Sequence, residues 1–212
     1  ANGLVLAEVD AVVLCNAAEA QRLASADWPL QQARGQTTLL PAGLPAAPTL
    51  PRPLADAGYV LPLADGRLLC GATSQRNDAD PTLRLADHQH NLATLARLTG
   101  WSPAVDAHQL DGRVGWRLLA SDRLPLLGPL PAAAIVSARA ADQPRLVPRQ
   151  PGLFVFTALG SRGITQAPLG AELLASWMTG DPLPLPATLV DALDVARFSS
   201  RAVRRAARPS IE

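Results

Sequence analysis

The chain has 212 residues, 48% of them hydrophobic and 17% charged, with a formal net charge of +1. That balance excludes a disordered chain, and a near-neutral total gives no bulk sign of a polyanionic partner. No apolar run reaches the roughly 20 residues needed to cross a bilayer, and Cys15 and Cys70 stand too far apart for a disulfide scaffold or a metal site. In chain order, residues 3–9 read as a strand. Residues 11–15 form a continuously apolar strand of the kind buried on both faces in a parallel sheet. Residues 17–25 read as a short helix and residues 34–40 as a strand, and a proline-rich crossing covers residues 41–56. Residues 59–62 and 67–71 pair as a hairpin around Ala64-Asp65-Gly66. Residues 74–84 are loop-like. Leu85, His88, Leu92, Leu95 and Leu98 recur at helical spacing, and Gly100 ends that helix. Residues 109–120 are a long strand, residues 131–151 a surface loop, and residues 153–157 a second buried strand. A helix over about 165–178 follows the glycine turn at 160–163. The first apolar strand has no parallel neighbour nearby, so part of its sheet is expected to lie outside this chain. No basic n-region or h-region of a secretory signal opens the sequence.

All 19 basic residues are arginine. Codon bias accounts for this. Its chemical consequence is that no Walker lysine and no Schiff-base lysine exists, which excludes P-loop phosphoryl transfer and lysine-dependent pyridoxal catalysis.

Three places have the residues for binding chemistry. In Gly160-Ser161-Arg162-Gly163, with Ile164 and Thr165 following, a glycine turn aims backbone N–H groups above a helix N-terminus. Such a turn suits an anion or an electron-rich ring edge, and equally a plain strand–helix turn. In Gly112-Arg113-Val114-Gly115-Trp116-Arg117, strand alternation puts Arg113 and Arg117 on one face with Gly115 between them. That face fits a carboxylate-binding fork, or two solvated arginines. In the tail, Arg201, Arg204, Arg205 and Arg208 make one positive helical face that fits an RNA backbone, or a solvated terminus. His88 and His90 do not share a helix face, and no triad or paired-carboxylate signature stands out, so no metal site is expected.

Several stretches together resemble a known family. The stretches are 112–117, Asp122-Arg123-Leu124-Pro125-Leu126-Leu127-Gly128-Pro129, residues 152–163, Ala167-Pro168 and Ala171-Glu172-Leu173-Leu174. They are similar to the C-terminal half of FAD-dependent D-amino-acid-oxidase-type enzymes. Arg34-Gly35-Gln36, Gly71-Ala72-Thr73, Asp87-His88 with Asn91-Leu92, and the ending from Asp191 to Phe198 resemble the oxidoreductase domain of the MnmC-type bifunctional enzymes of tRNA wobble-uridine modification. Two features of that family have no counterpart here: the Gly-x-Gly-x-x-Gly unit for the FAD pyrophosphate, and the methyltransferase half.

The resemblance implies a mixed α/β (α+β) fold. A partial FAD-binding layer over 1–33 and 121–212 is interrupted by an antiparallel substrate domain over 34–120. It implies a cytoplasmic protein with FAD as cofactor, tRNA as partner and no membrane. The implied reaction removes the carboxymethyl arm of 5-carboxymethylaminomethyl-(2-thio)uridine, giving 5-aminomethyl-(2-thio)uridine and glyoxylate. Carried over by motif, Arg117 and Arg162 are the catalytic candidates. Arg34, Gly35, Gln36, Gly128, Gly160, Ser161, Arg162, Gly163, Ile164 and Thr165 are the cofactor candidates. Two alternatives stay open: a glycine- or sarcosine-oxidase-like enzyme acting on a free amino acid, and an inactive fragment that self-associates through unpaired sheet edges.

Overall fold

The computed structural model describes residues 4–132 and 142–206. Its elements in chain order are β1 (Val12–Leu14), α1 (Glu19–Leu23), β2 (Leu30–Leu40), β3 (Leu54–Ala55), β4 (Tyr59–Pro62), β5 (Leu68–Gly71), β6 (Gln75–Arg76), α2 (Leu85–Thr99), β7 (Asp111–Ala120), β8 (Leu126–Pro131), β9 (Arg149–Thr157), α3 (Gly163–Thr179), α4 (Ala187–Leu193) and α5 (Arg197–Ala206). They form two units, residues 1–31 with 118–212, and residues 32–117.

The first unit is built on a sheet in the order β1-β9-β8. β1 runs parallel to β9, with Val13 beside Phe154, and β8 runs antiparallel to β9, with Leu127 beside Phe156. Alternation along a strand sends neighbouring side chains to opposite faces. Leu126, Leu130 and Val155 therefore enter one core, with Ala20 of α1, Trp28 and Val195. Leu127 and Phe154 enter another, with Leu173 and Leu174 of α3 and Val190 of α4. Gly152 lets β1 lie close to β9. Its φ is +67°, and a Cβ there would sit 2.5 Å from the Asp10 carbonyl oxygen.

Two expectations are corrected here. Residues 4–9 form no strand, and Leu4, Val5, Leu6 and Val9 are exposed, because no neighbouring strand among the described residues supplies their ladder hydrogen bonds. β1 is not buried on both faces. It has one strand neighbour, β9, and Val12 is 43% exposed. The sequence reading also missed β8 and α4. Pro129 and Pro131 hide β8, and the last strand in the sheet order tolerates them.

The second unit holds a sheet in the order β3-β4-β5-β2-β6, with β7 also paired to β2. The β4–β5 hairpin forms with Leu61 beside Leu69. On one face Leu40, Val60, Leu68 and Cys70 pack against Leu95 of α2. α2 stops at Gly100, whose left-handed φ of 72° closes the last turn on the Ala96 carbonyl. The face of α2 turned inward is more polar than its leucine spacing suggests, because Asp87, His88, Asn91 and Thr94 are all buried there. No described helix is long and apolar enough to cross a membrane.

Candidate active site

β2 sorts the second unit's chemistry by parity. Arg34, Gln36, Thr38 and Leu40 are buried, while Gly35, Thr37 and Leu39 line a cleft of about 660 Å3. The strand β7, from Asp111 to Arg117, supplies the facing wall.

Arg117 is half-buried and lies over Gly35, where a Cβ would come within 3.1 Å of Arg117 Nη2. The same Nη2 donates to the Thr73 carbonyl at 3.2 Å. Arg113 is exposed, and its backbone N–H donates to Thr37 Oγ1 at 3.3 Å. Neither guanidinium is in an ion pair among the described residues. Arg67 also lines the cleft, but Asp65 holds it at 2.7 Å. Asp111 Oδ1 accepts from the Gly112 N–H at 2.7 Å.

Tyr59 completes the cleft, and the sequence reading missed it. Burial pushes its phenol up from the ordinary tyrosine value, against a downward pull from the Arg117 charge, with a further upward push from Cys70. The phenol therefore stays protonated at neutral pH and is a hydrogen-bond donor beside a guanidinium. A neutral O–H donor and a cation together form a receptor for a carboxylate. Tyr59 is the chain's only tyrosine, in a sequence with 4% aromatic residues, and that rarity was the available signal.

Arg34 and Gln36 take a different part from the one expected of them. Arg34 is fully buried and all five of its N–H groups are used. They reach Asp80 O (2.7 Å), Thr82 O (2.6 Å), Asp87 Oδ2 (2.6 Å), Gln36 Oε1 (3.3 Å) and Gln75 Oε1 (3.5 Å). Gln36 Nε2 donates to the Arg84 carbonyl, and its Oε1 accepts the Arg84 N–H. These side chains tie the loop before α2 to β2, so only Gly35 of the three stands on the cleft side. His88 is a core histidine. Its Nδ1 lies 2.8 Å from Thr38 Oγ1, and burial pushes its pKa down despite the charges of Asp87 and Asp111.

In the first unit, Gly160-Ser161-Arg162 forms one 3-10 turn leading directly into α3. No side chain caps the α3 N-terminus. Ser161 and Arg162 are exposed, Ile164 is 94% exposed, and Thr165 Oγ1 donates back to the Arg162 carbonyl. Arg162 is in no ion pair among the described residues. Gly128 is buried, and a Cβ there would meet the Trp177 indole at 3.0 Å, so packing against Trp177 by itself accounts for a glycine at this position.

The tail arginines separate. Arg197 is 1% exposed and forms a two-pronged pair with Asp122, at 2.8 and 2.9 Å. Arg201 also pairs with Asp122, so it is not the free cation that the helical spacing suggests. Arg204 and Arg205 are exposed. Arg208 lies outside the described residues.

A family model described as FAD dependent oxidoreductase, DAO, matches residues 1–177. The chain belongs to this FAD-dependent oxidoreductase family. It is 51% identical, over 92% of its length, to the tRNA 5-methylaminomethyl-2-thiouridine biosynthesis bifunctional protein MnmC of Methylibium petroleiphilum. It is 48% identical, over 97% of its length, to the protein of the same name from Burkholderia thailandensis. In both cases it spans 32% of the relative, about a third of those proteins. Among solved structures, glycine oxidase from Geobacillus kaustophilus shares the fold, with a TM-score of 0.65 and 23% identity, over 87% of this chain and 45% of that one.

The residues of this family member fit one end of an FAD. The uncapped α3 N-terminus presents first-turn N–H groups and the positive end of a helix dipole, with the unpaired Arg162 beside them. Ser161, Gly163 and Ile164 are the neighbouring residues that would help to hold it. For the pyrophosphate the 212 residues offer no Gly-x-Gly-x-x-Gly.

Proposed function

We propose that the chain supplies the substrate-orienting part of an FAD-dependent oxidoreductase acting on 5-carboxymethylaminomethyl-(2-thio)uridine of tRNA. The products are the 5-aminomethyl base and glyoxylate. The observation that carries this reading is the cleft in which Arg117, without a carboxylate partner, sits beside the neutral Tyr59 phenol.

Arg117 takes the substrate carboxylate, and Tyr59 donates a second hydrogen bond to it. Two donors fix the direction of the carbon between carboxylate and amine, which is the orienting contribution to rate. Gly35 keeps the floor beneath that carbon free of a side chain. FAD, when bound, would supply the hydride acceptor for this carbon, and the amine would give up its proton. The substrate imine then adds water and divides into glyoxylate and the primary amine. Arg162 supplies a fixed positive charge at the α3 N-terminus, where negative charge is stabilised.

The test is a visible spectrum of the chain with added FAD, followed by a glyoxylate assay with the modified uridine and with glycine. Glyoxylate from the modified uridine, lost in Arg117→Gln, is the expected result. Glyoxylate from glycine alone would favour the free-amino-acid oxidase. A chain that stays colourless with FAD would leave the chemistry to a longer protein.

A further inference from the structure

The cleft exceeds what a free amino acid needs. Glycine is a handful of heavy atoms, whereas about 660 Å3 lies within the range of about 300–1,000 Å3 that takes drug-sized ligands. It also carries two guanidinium groups without anionic partners, Arg113 and Arg117. One carboxylate answers only one of them. A ligand that carries a second anion at a distance would answer the other as well.

The strand sets that distance. β7 is continuous from Asp111 to Ala120, so positions 113, 115 and 117 fall on one face. At about 3.3–3.4 Å per residue, Gly115 stands about 7 Å and Arg113 about 13 Å from Arg117 along the strand. Nothing lies within 4 Å of where a Gly115 Cβ would be. Leu39 and Leu69 give the same cleft an apolar floor. The order along the wall is cation, open slot, cation. Asp111, two residues beyond Arg113, ends the positive stretch.

The proposed substrate has the same order. Four single bonds of about 1.5 Å separate its carboxyl carbon from the pyrimidine ring, about 5 Å in projection. The ring follows, then the ribose and its phosphate. We propose that β7 measures the substrate along its length. Arg117 holds the carboxylate, the slot left by Gly115 receives the pyrimidine, and Arg113 binds a phosphate of the same nucleotide. This rests on the reading of Arg117 given above, and adds to it a base slot and a phosphate contact.

Calorimetric binding to the 212-residue chain tests this without turnover. The probes are 5-carboxymethylaminomethyluridine, its 3′-monophosphate, the 3′-monophosphate of 5-aminomethyluridine, and N-methylglycine. The monophosphate should bind about five-fold tighter than the nucleoside, as one partly exposed ion pair allows. Arg113→Gln should remove that increment and leave the nucleoside's affinity in place. Gly115→Val, with a side chain suited to a strand, should weaken nucleoside and nucleotide about ten-fold and leave N-methylglycine binding unchanged. Circular dichroism monitors folding, and Gly115→Ala replaces the valine if folding is disturbed. Equal binding of nucleoside and monophosphate, an increment that survives Arg113→Gln, or normal nucleoside binding by the Gly115 variant overturns the proposal and leaves the Arg117 reading standing. If the 5-aminomethyl nucleotide, which lacks the carboxylate, binds as tightly as the carboxymethylated one, the Arg117 reading itself fails. If no probe binds, both fail.

Discussion

Asp122 holds two arginines at once, and one of them has no access to water. Arg197 is 1% exposed and also donates to the carbonyls of Leu124, Pro125 and Leu193. Its guanidinium stacks 4.4 Å from the Phe198 ring centroid, with Arg201 at 5.5 Å. Burial works against ionising Asp122. The hydrogen bonds and charges of Arg197 and Arg201 outweigh it and hold the carboxyl well below the usual carboxylate range. A depressed carboxylate adds stability above its unfolded pKa, about 3.9, and that stability is lost as pH falls below it towards the folded value. Asp122→Asn leaves a buried cation without its anion, so unfolding free energy at neutral pH should drop by about 3–5 kcal/mol. Urea melts from pH 7 down to pH 3 check this. The variant's deficit should begin to shrink below about pH 3.9, where the unfolded wild type takes up a proton at Asp122 that the folded state still refuses. A deficit that stays constant with pH would mean that Asp122 acts through packing alone.

At the level of elements, Gly152 shows how one residue lets a strand dock. Gly100 and Gly152 have nearly the same left-handed φ, 72° and 67°, but nothing lies near a Cβ at Gly100. Gly100→Ala should therefore cost only the conformational penalty of about 1–2 kcal/mol. Gly152→Ala adds an overlap with the Asp10 carbonyl, which is backbone and cannot rotate away, at a further cost of about 1–3 kcal/mol. Denaturant melts of the two variants compare these directly, and equal losses would remove the argument that Gly152 seats β1. Elements with local signals were legible in the sequence: the β4–β5 hairpin from its glycine turn, α2 from its leucine spacing and terminal glycine, and β9 from its apolar run. The polar inner face of α2 was not, because Arg34 meets Asp87 across 53 residues and no periodicity reports such a partner. The site divides in the same way. Alternation along β7 placed Arg113, Gly115 and Arg117 on one face. Tyr59 joins them from a different strand, and only the fold brings it there.

For the whole molecule, charge is the relevant quantity. A net charge of +1 gives no long-range attraction to RNA, so the tRNA contact that the proposed function requires would have to come from local cations. Ion pairs remove Arg197 and Arg201 from that role, which leaves Arg204 and Arg205 as the exposed arginines of α5. Each phosphate contact releases about 0.7–0.9 counterions, depending on whether the nucleic acid is single- or double-stranded. Replacing both residues by alanine should flatten the slope of log affinity against log salt by about 1.4–1.8 and weaken tRNA binding most at low salt. Arg201→Ala should behave differently, because its charge is already spent on Asp122. It should lower thermal stability and leave the salt slope nearly unchanged. Gel-shift titrations of tRNA across a salt series, run beside thermal melts, separate the two effects. If the double variant keeps the wild-type slope, the α5 arginines do not touch phosphate, and the RNA contact must be sought elsewhere, at Arg113 of the cleft first.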